Sequence, residues 1–163
     1  VAAILLAVAV PSMAAFIKNN RLTVATNDFV SDLIYARAEA VRRGQRVVLC
    51  ASNAGGNACA PSGGNWGSGR IVFPAEAEGS IGTDSTLILR ASLLDVNGNI
   101  AIAPSGFQQS LRIPFRPDGT PVLAGSTASF TVCDDRDGAF GRKIEILRTG
   151  RVLVTSGTQN CSS

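Results

Sequence analysis

Apolar and polar residues follow three different rhythms along this chain. Positions Val1 to Ile17 carry no charge and are mostly apolar, with Pro11 among them. From Arg21 to Arg43 the apolar residues Leu22, Ala25, Phe29, Leu33, Ala36 and Ala40 recur at steps of three and four, which is one face of an α-helix. Val30, Ile34 and Val41 form a strip beside it that is expected to widen the buried face. Asn27 and Asp28 lie opposite Arg37 and Arg42 on the polar side. Gly44 then follows Arg42 and Arg43, a C-cap glycine behind cations that suit a helix C-terminus. The expectation is one continuous rod from near Val1, kinked at Pro11 because proline removes a helical hydrogen bond. Residues 1–17 are its membrane or bundle segment and residues 18–44 its amphipathic continuation.

After Gly44 the rhythm changes to short runs rich in Val, Ile, Leu and Phe, separated by Gly, Asn, Pro and Ser clusters. Arg46–Ala51, Arg70–Phe73, Thr86–Arg90, Leu111–Phe115, Ser129–Cys133, Lys143–Arg148 and Arg151–Thr155 read as strands. Asn97-Gly98 between Val96 and Ile100 is a two-residue hairpin signal, and Thr149-Gly150 a weaker turn. Residues 45–163 therefore form a β-rich head. The fold class is α+β, a long N-terminal helix packed on antiparallel sheet.

The apolar start decides the compartment. Seventeen residues is the lower edge of what spans a bilayer, and the chain opens on Val1 rather than Met, so the run is expected to begin further upstream. It flows directly into Lys18, Arg21 and the amphipathic helix, which reads as a retained anchor rather than a cleaved leader. Four cysteines, Cys50, Cys59, Cys133 and Cys161, allow three pairings on count alone. Behind an anchor, a periplasmic or extracellular head would oxidise them. Cys50–Cys59 and Cys133–Cys161 are the predicted bridges, because both pairs lie beside strand ends.

Charge excludes a blunt polyanion binder. Residues 18–46 hold six basic and three acidic side chains, residues 47–132 four and five, and residues 133–163 five and four, so no segment is a polybasic tail. The chain has no His, the usual acid–base group at neutral pH. It also lacks the phosphate-binding, nucleophile-elbow and zinc-protease motifs. No enzyme activity, cofactor or metal is expected. Cysteine spacings of 9, 74 and 28 fit no compact zinc clip. Asp134-Asp135-Arg136-Asp137-Gly138 puts Cys133 and Ile144 where a calcium loop needs its first and closing ligands, so it reads as a solvated turn. Trp66, ahead of Gly67-Ser68-Gly69, reads as a core residue closing a hairpin in preference to an exposed binding aromatic.

Larger blocks carry a family likeness. The helix run Asn27-Asp28-Phe29-Val30-Ser31-Asp32-Leu33-Ile34-Tyr35-Ala36-Arg37-Ala38-Glu39-Ala40-Val41-Arg42-Arg43-Gly44 leads to Val47-Val48-Leu49-Cys50, Cys59, and Trp66 ahead of Gly69-Arg70-Ile71-Val72-Phe73. Phe130-Thr131-Val132-Cys133, Arg142-Lys143-Ile144-Glu145-Ile146 and Thr149-Gly150-Arg151-Val152 follow. This pattern resembles the GspH/FimT/FimU family, the minor pilins of type IV pili and pseudopilins of type II secretion. The resemblance implies a pilin-like helix whose peptidase site, methylated N-terminal Phe and early Glu lie upstream of Val1. It implies storage in the inner membrane with the head periplasmic, then assembly with other pilin or pseudopilin subunits through the helix. Ala2, Ala3, Ala7, Ala9, Ala14 and Ala15 would let neighbouring helices approach closely.

Two functions follow from different classes. One is a structural subunit that helps initiate or cap a pilus or pseudopilus. The other is DNA binding in uptake, which the FimT branch of the resemblance implies through a GRxR motif. Here Gly150-Arg151-Val152-Leu153 places Leu153 at the second Arg. Arg142, Lys143, Arg148 and Arg151 remain as candidate phosphate contacts, or as charges that keep strand edges from pairing.

Overall fold

The computed structural model describes residues 2–61, 64–75, 87–92 and 100–161, with helix side chains from Ser12 onward. Helix α1 spans Ala2–Arg43 as one 42-residue element, about 63 Å long at 1.5 Å per residue. It ends as its sequence predicts. Arg42 and Arg43 occupy the last turn, and Gly44 adopts a φ of 62°, the left-handed conformation that glycine reaches without strain. The kink expected at Pro11 falls outside the described side chains. Among the described residues no helical stretch is long and apolar enough to cross a membrane.

Among the described residues eight strands follow: β1 (Val47–Ala51), β2 (Arg70–Pro74), β3 (Arg90–Ser92), β4 (Ala101–Ser105), β5 (Arg112–Phe115), β6 (Thr127–Cys133), β7 (Gly138–Leu147) and β8 (Val152–Cys161). They form two 4-stranded sheets, ordered β3-β2-β1-β5 and β4-β6-β7-β8, and every ladder is antiparallel.

Three strand expectations are revised. The strand sought at Thr86–Arg90 is Arg90–Ser92, paired with Arg70–Val72. β4 was hidden by Pro104, which is tolerated because β4 is an edge and edge strands can spare a donor. β7 and β8 run 10 residues each, well past the expected segments, since glycine bulges at Gly138 and Gly141 carry the pairing on to Cys161. The Asn97-Gly98 hairpin lies outside the described residues.

Helix and both sheets share one core. Leu22, Ala25, Phe29, Leu33, Ala36 and Ala40 are all buried, so the three-and-four periodicity located the packed face correctly. The second strip does not join it. Val30 packs at the margin, whereas Ile34 and Val41 are 56% and 54% exposed. Alternation along β1 sends Val47, Leu49 and Ala51 to this core. Val48 and Cys50 join a satellite cluster with Ile71, Phe73 and Ala75 on the other face.

Candidate assembly surface and basic cluster

The helix is seated by aromatic rings. Phe29 and Phe130 meet in a T-shaped arrangement with centroids 4.5 Å apart, Phe29 and Trp66 likewise at 5.5 Å, and Trp66 and Phe130 at 5.2 Å. In each T-shaped pair the positive edge of one ring meets the negative face of the other. Trp66 is fully buried, and its indole N–H donates to the Ser110 carbonyl at 2.7 Å, so its polar atom is satisfied inside the core.

Beside these rings sits a buried charge network that periodicity alone did not reveal. Asp32 is 1% exposed. Its carboxylate accepts from Arg70 Nε, from Arg90 Nε at 2.9 Å and from the Ser92 hydroxyl at 2.8 Å. One helix side chain thereby grips β2 and β3. Arg70 Nη1 and Nη2 are buried and have no hydrogen-bond partner, but its guanidinium carbon sits 4.9 Å over the Phe29 ring, a cation–π contact that partly replaces lost hydration. Burial pushes the Arg70 pKa down and Asp32 opposes that shift; a guanidinium stays charged regardless. A legible signal existed, because Asp32 stands three residues from Phe29 and four from Ala36, on the apolar stripe itself.

Three polar contacts fasten the helix to the second sheet. Lys18 Nζ pairs with Asp135 at 2.9 Å, Arg142 donates to the Thr23 hydroxyl at 2.8 Å, and Arg37 donates to the Gly150 carbonyl at 3.1 Å. A Cβ at Gly150 would come within 2.5 Å of the Gly119 carbonyl and 2.9 Å of Arg37 Nε, so glycine lets the β7–β8 turn sit against both the β5–β6 loop and the helix. The Asp-rich turn is less solvated than expected, since Asp134 is held by Arg136 at 2.6 Å with its side chain only 4% exposed.

Hydrogen bonding from Lys18 holds the Asp135 carboxyl below its usual range, and Arg42 and Arg43 do the same for Glu39. A carboxylate whose folded pKa is depressed stabilises above its unfolded value of about 4 and loses that contribution as pH falls through the folded value. Carboxyl titration by NMR should therefore place Asp135 and Glu39 each below the ordinary value for its residue type, and Lys18→Ala should return Asp135 alone to the ordinary range.

The outward side of the helix carries apolar side chains that the head leaves uncovered. Met13 is 61% exposed, Phe16 66%, Ile17 43% and Val24 51%, in line with Ile34 and Val41. They extend from the segment below the head up along its flank.

The four basic candidates do not form one patch. Successive residues of a strand face opposite sides, and Arg142 turns inward to Thr23 while Lys143 turns outward to Glu145 at 2.7 Å. Only Arg148 and Arg151 are exposed together, flanking the β7–β8 turn, with Arg148 donating to the Gly125 carbonyl at 3.1 Å. The cysteines pair as Cys50–Cys59 and Cys133–Cys161, each with Cα atoms 5.7 Å apart. The second bridge ties the end of β6 to the end of β8. No group of acids and cysteines among the described residues could hold a metal ion.

Comparison with known proteins agrees with this architecture. Residues 25–150 match the family model described as Type II transport protein GspH. The type IV minor pilin FimU of Pseudomonas aeruginosa PAO1 has a similar fold in two crystal forms. One superposes with a TM-score of 0.65 at 22% identity, covering 91% of this chain and 98% of FimU. The other gives 0.61 at 21% identity, covering 86% and 98%. No protein of curated function matches the sequence.

Proposed function

This chain belongs to the GspH family of minor pilins and pseudopilins, and from that premise we propose that it is a structural subunit that helps initiate or cap a type IV pilus or a type II secretion pseudopilus. The observation that carries the reading is the divided helix. One face is sealed inside the head by Leu22, Phe29 and Leu33, while Met13, Phe16, Ile17 and Val24 point away from it. Apolar side chains left outside a folded head need another apolar surface. Lipid supplies it before assembly, with the head periplasmic and the helix rooted in the inner membrane. The helices of neighbouring pilin or pseudopilin subunits supply it afterwards, so burial is exchanged rather than lost.

Deleting Val1–Ile17 should leave a folded head, because the described side chains of that segment, Ser12–Ile17, are all exposed and contribute nothing to the core. The same deletion should abolish incorporation into sheared fibres. Truncated protein that co-purifies with fibres at the normal level would remove the helix from the assembly role.

A second reading, DNA contact, rests on the exposed pair Arg148 and Arg151 at the β7–β8 turn. Two phosphate contacts give a slope of log affinity against log salt of about −1.8 on duplex DNA. Gel shifts across a salt series, with both residues reversed to Glu, test it: the structural role alone expects no shift even at low salt.

A further inference from the structure

We infer that the free edge of β8 is an acceptor for an extended strand from a different protein chain, apolar at alternate positions and ending in carboxylates. The inference rests on the geometry of this edge and does not depend on the assembly role proposed above.

Among the described residues, sheet order leaves β8 paired on one side only. The turn before it sets which backbone groups face outward. The Leu147 N–H donates to the Arg151 carbonyl at 2.9 Å, and the Gly150 N–H closes onto the Leu147 carbonyl at 2.8 Å, with Gly150 at φ 78°. Leu147 and Arg151 are therefore a hydrogen-bonded pair, and such pairs alternate along an antiparallel ladder. Leu153 opposite Glu145 and Thr155 opposite Lys143 bond inward to β7. Val152, Val154 and Ser156 consequently turn their N–H and carbonyl groups away from the sheet.

The other three edges are blunted and this one is not. β3 is 3 residues long and carries Arg90, β4 contains Pro104 and β5 contains Pro114. Short length, charge and proline are the usual guards against edge pairing. β8 is 10 residues long, with neither charge nor proline. Val154 is 46% exposed and Thr155 and Ser156 are exposed. Gly157, at φ 74°, ends the regular run, so the acceptor is Val152–Ser156.

Charge selects the occupant. Arg148 and Arg151 are exposed at the start of this run. An incoming antiparallel strand brings its C-terminal end to them, where carboxylates would neutralise both cations. A second copy of this chain, paired about Val154, would set Arg151 opposite Gly157 and leave the cations unmatched. The complement is therefore a foreign strand with valine-like residues at alternate positions and an acidic C-terminal end, bound by β-augmentation.

The test is fluorescence anisotropy on the full chain in mild detergent. The probe is a labelled seven-residue peptide that alternates threonine and valine and closes on two glutamates. Saturable binding is expected. N-methylating the valines removes the peptide's own donors without touching the protein and should weaken binding by about tenfold or more. Val154→Pro should do likewise, since the N–H it removes faces outward. Reversing Arg148 and Arg151 to Glu should weaken the glutamate-ended peptide about tenfold and leave a glutamine-ended version unchanged. Absence of saturation up to about 1 mM, or indifference to N-methylation, overturns the proposal. Dimerisation of the chain that Val154→Pro abolishes, without peptide binding, would assign the edge to a second copy. A duplex DNA probe that competes fully with the peptide would assign the cations to phosphate.

Discussion

Asp32→Ala is expected to destabilise the head by about 3–5 kcal/mol, the cost of removing one partner from a buried ion pair. The magnitude follows from what is left behind. Arg70 is fully buried, its two terminal nitrogens already lack partners, and without Asp32 its charge has no counterion in the core. Arg90 and Ser92 lose their anchor in the same step, so β3 loses its hold on the helix. Against a typical domain stability of 5–15 kcal/mol, such a loss is a large fraction of the whole, visible as a shift of the urea midpoint at constant slope. A second measurement isolates the cause. Asp32→Leu combined with Arg70→Met removes both charges while keeping apolar volume, and should recover most of the stability, because well-packed apolar replacements of buried pairs are often neutral or better. A single mutant that melts like the wild type would show that Asp32 is reached by water.

Phe29→Ala is the other large effect, also about 3–5 kcal/mol for a fully buried aromatic. Its ring meets Trp66 and Phe130 at once, so the cavity opens at the junction of helix and both sheets, where neither sheet can close it alone. The ring also covers the Arg70 guanidinium. Phe29 and Asp32 therefore share a neighbour, and the double mutant should cost less than the sum of the singles. A loss below about 1 kcal/mol would contradict the burial described here.

How far the sequence could be read depended on the periodicity available. Six helix positions at steps of three and four carried a strong signal, and all six are buried. Ile34 and Val41 share a helical pattern with them but fall outside the angular width that the sheets cover, which depends on where the strands lie and not on the helix. Asp32 carries a charge that an apolar periodicity does not register, although its spacing places it on the stripe. β4 and the long β7–β8 ladder were harder, since Pro104 and the glycine bulges at Gly138 and Gly141 interrupt the alternation by which strands are recognised. The basic cluster shows the opposite limit. Arg142 and Lys143 are adjacent in sequence, yet the pleat sends their side chains to opposite faces of the sheet.

The contacts between helix and second sheet run in chain order, from Lys18 with Asp135 through Thr23 with Arg142 to Arg37 with Gly150. They behave as pins along a splint, the outer two about 28 Å apart on the helix axis. A pull along that axis cannot peel them one at a time, because it must shear all three together with the aromatic joint. The Cys133–Cys161 bridge closes the Lys18 end of the splint covalently, two residues from Asp135, so tension entering through the rod is spread over the length of β7 instead of being concentrated at one turn.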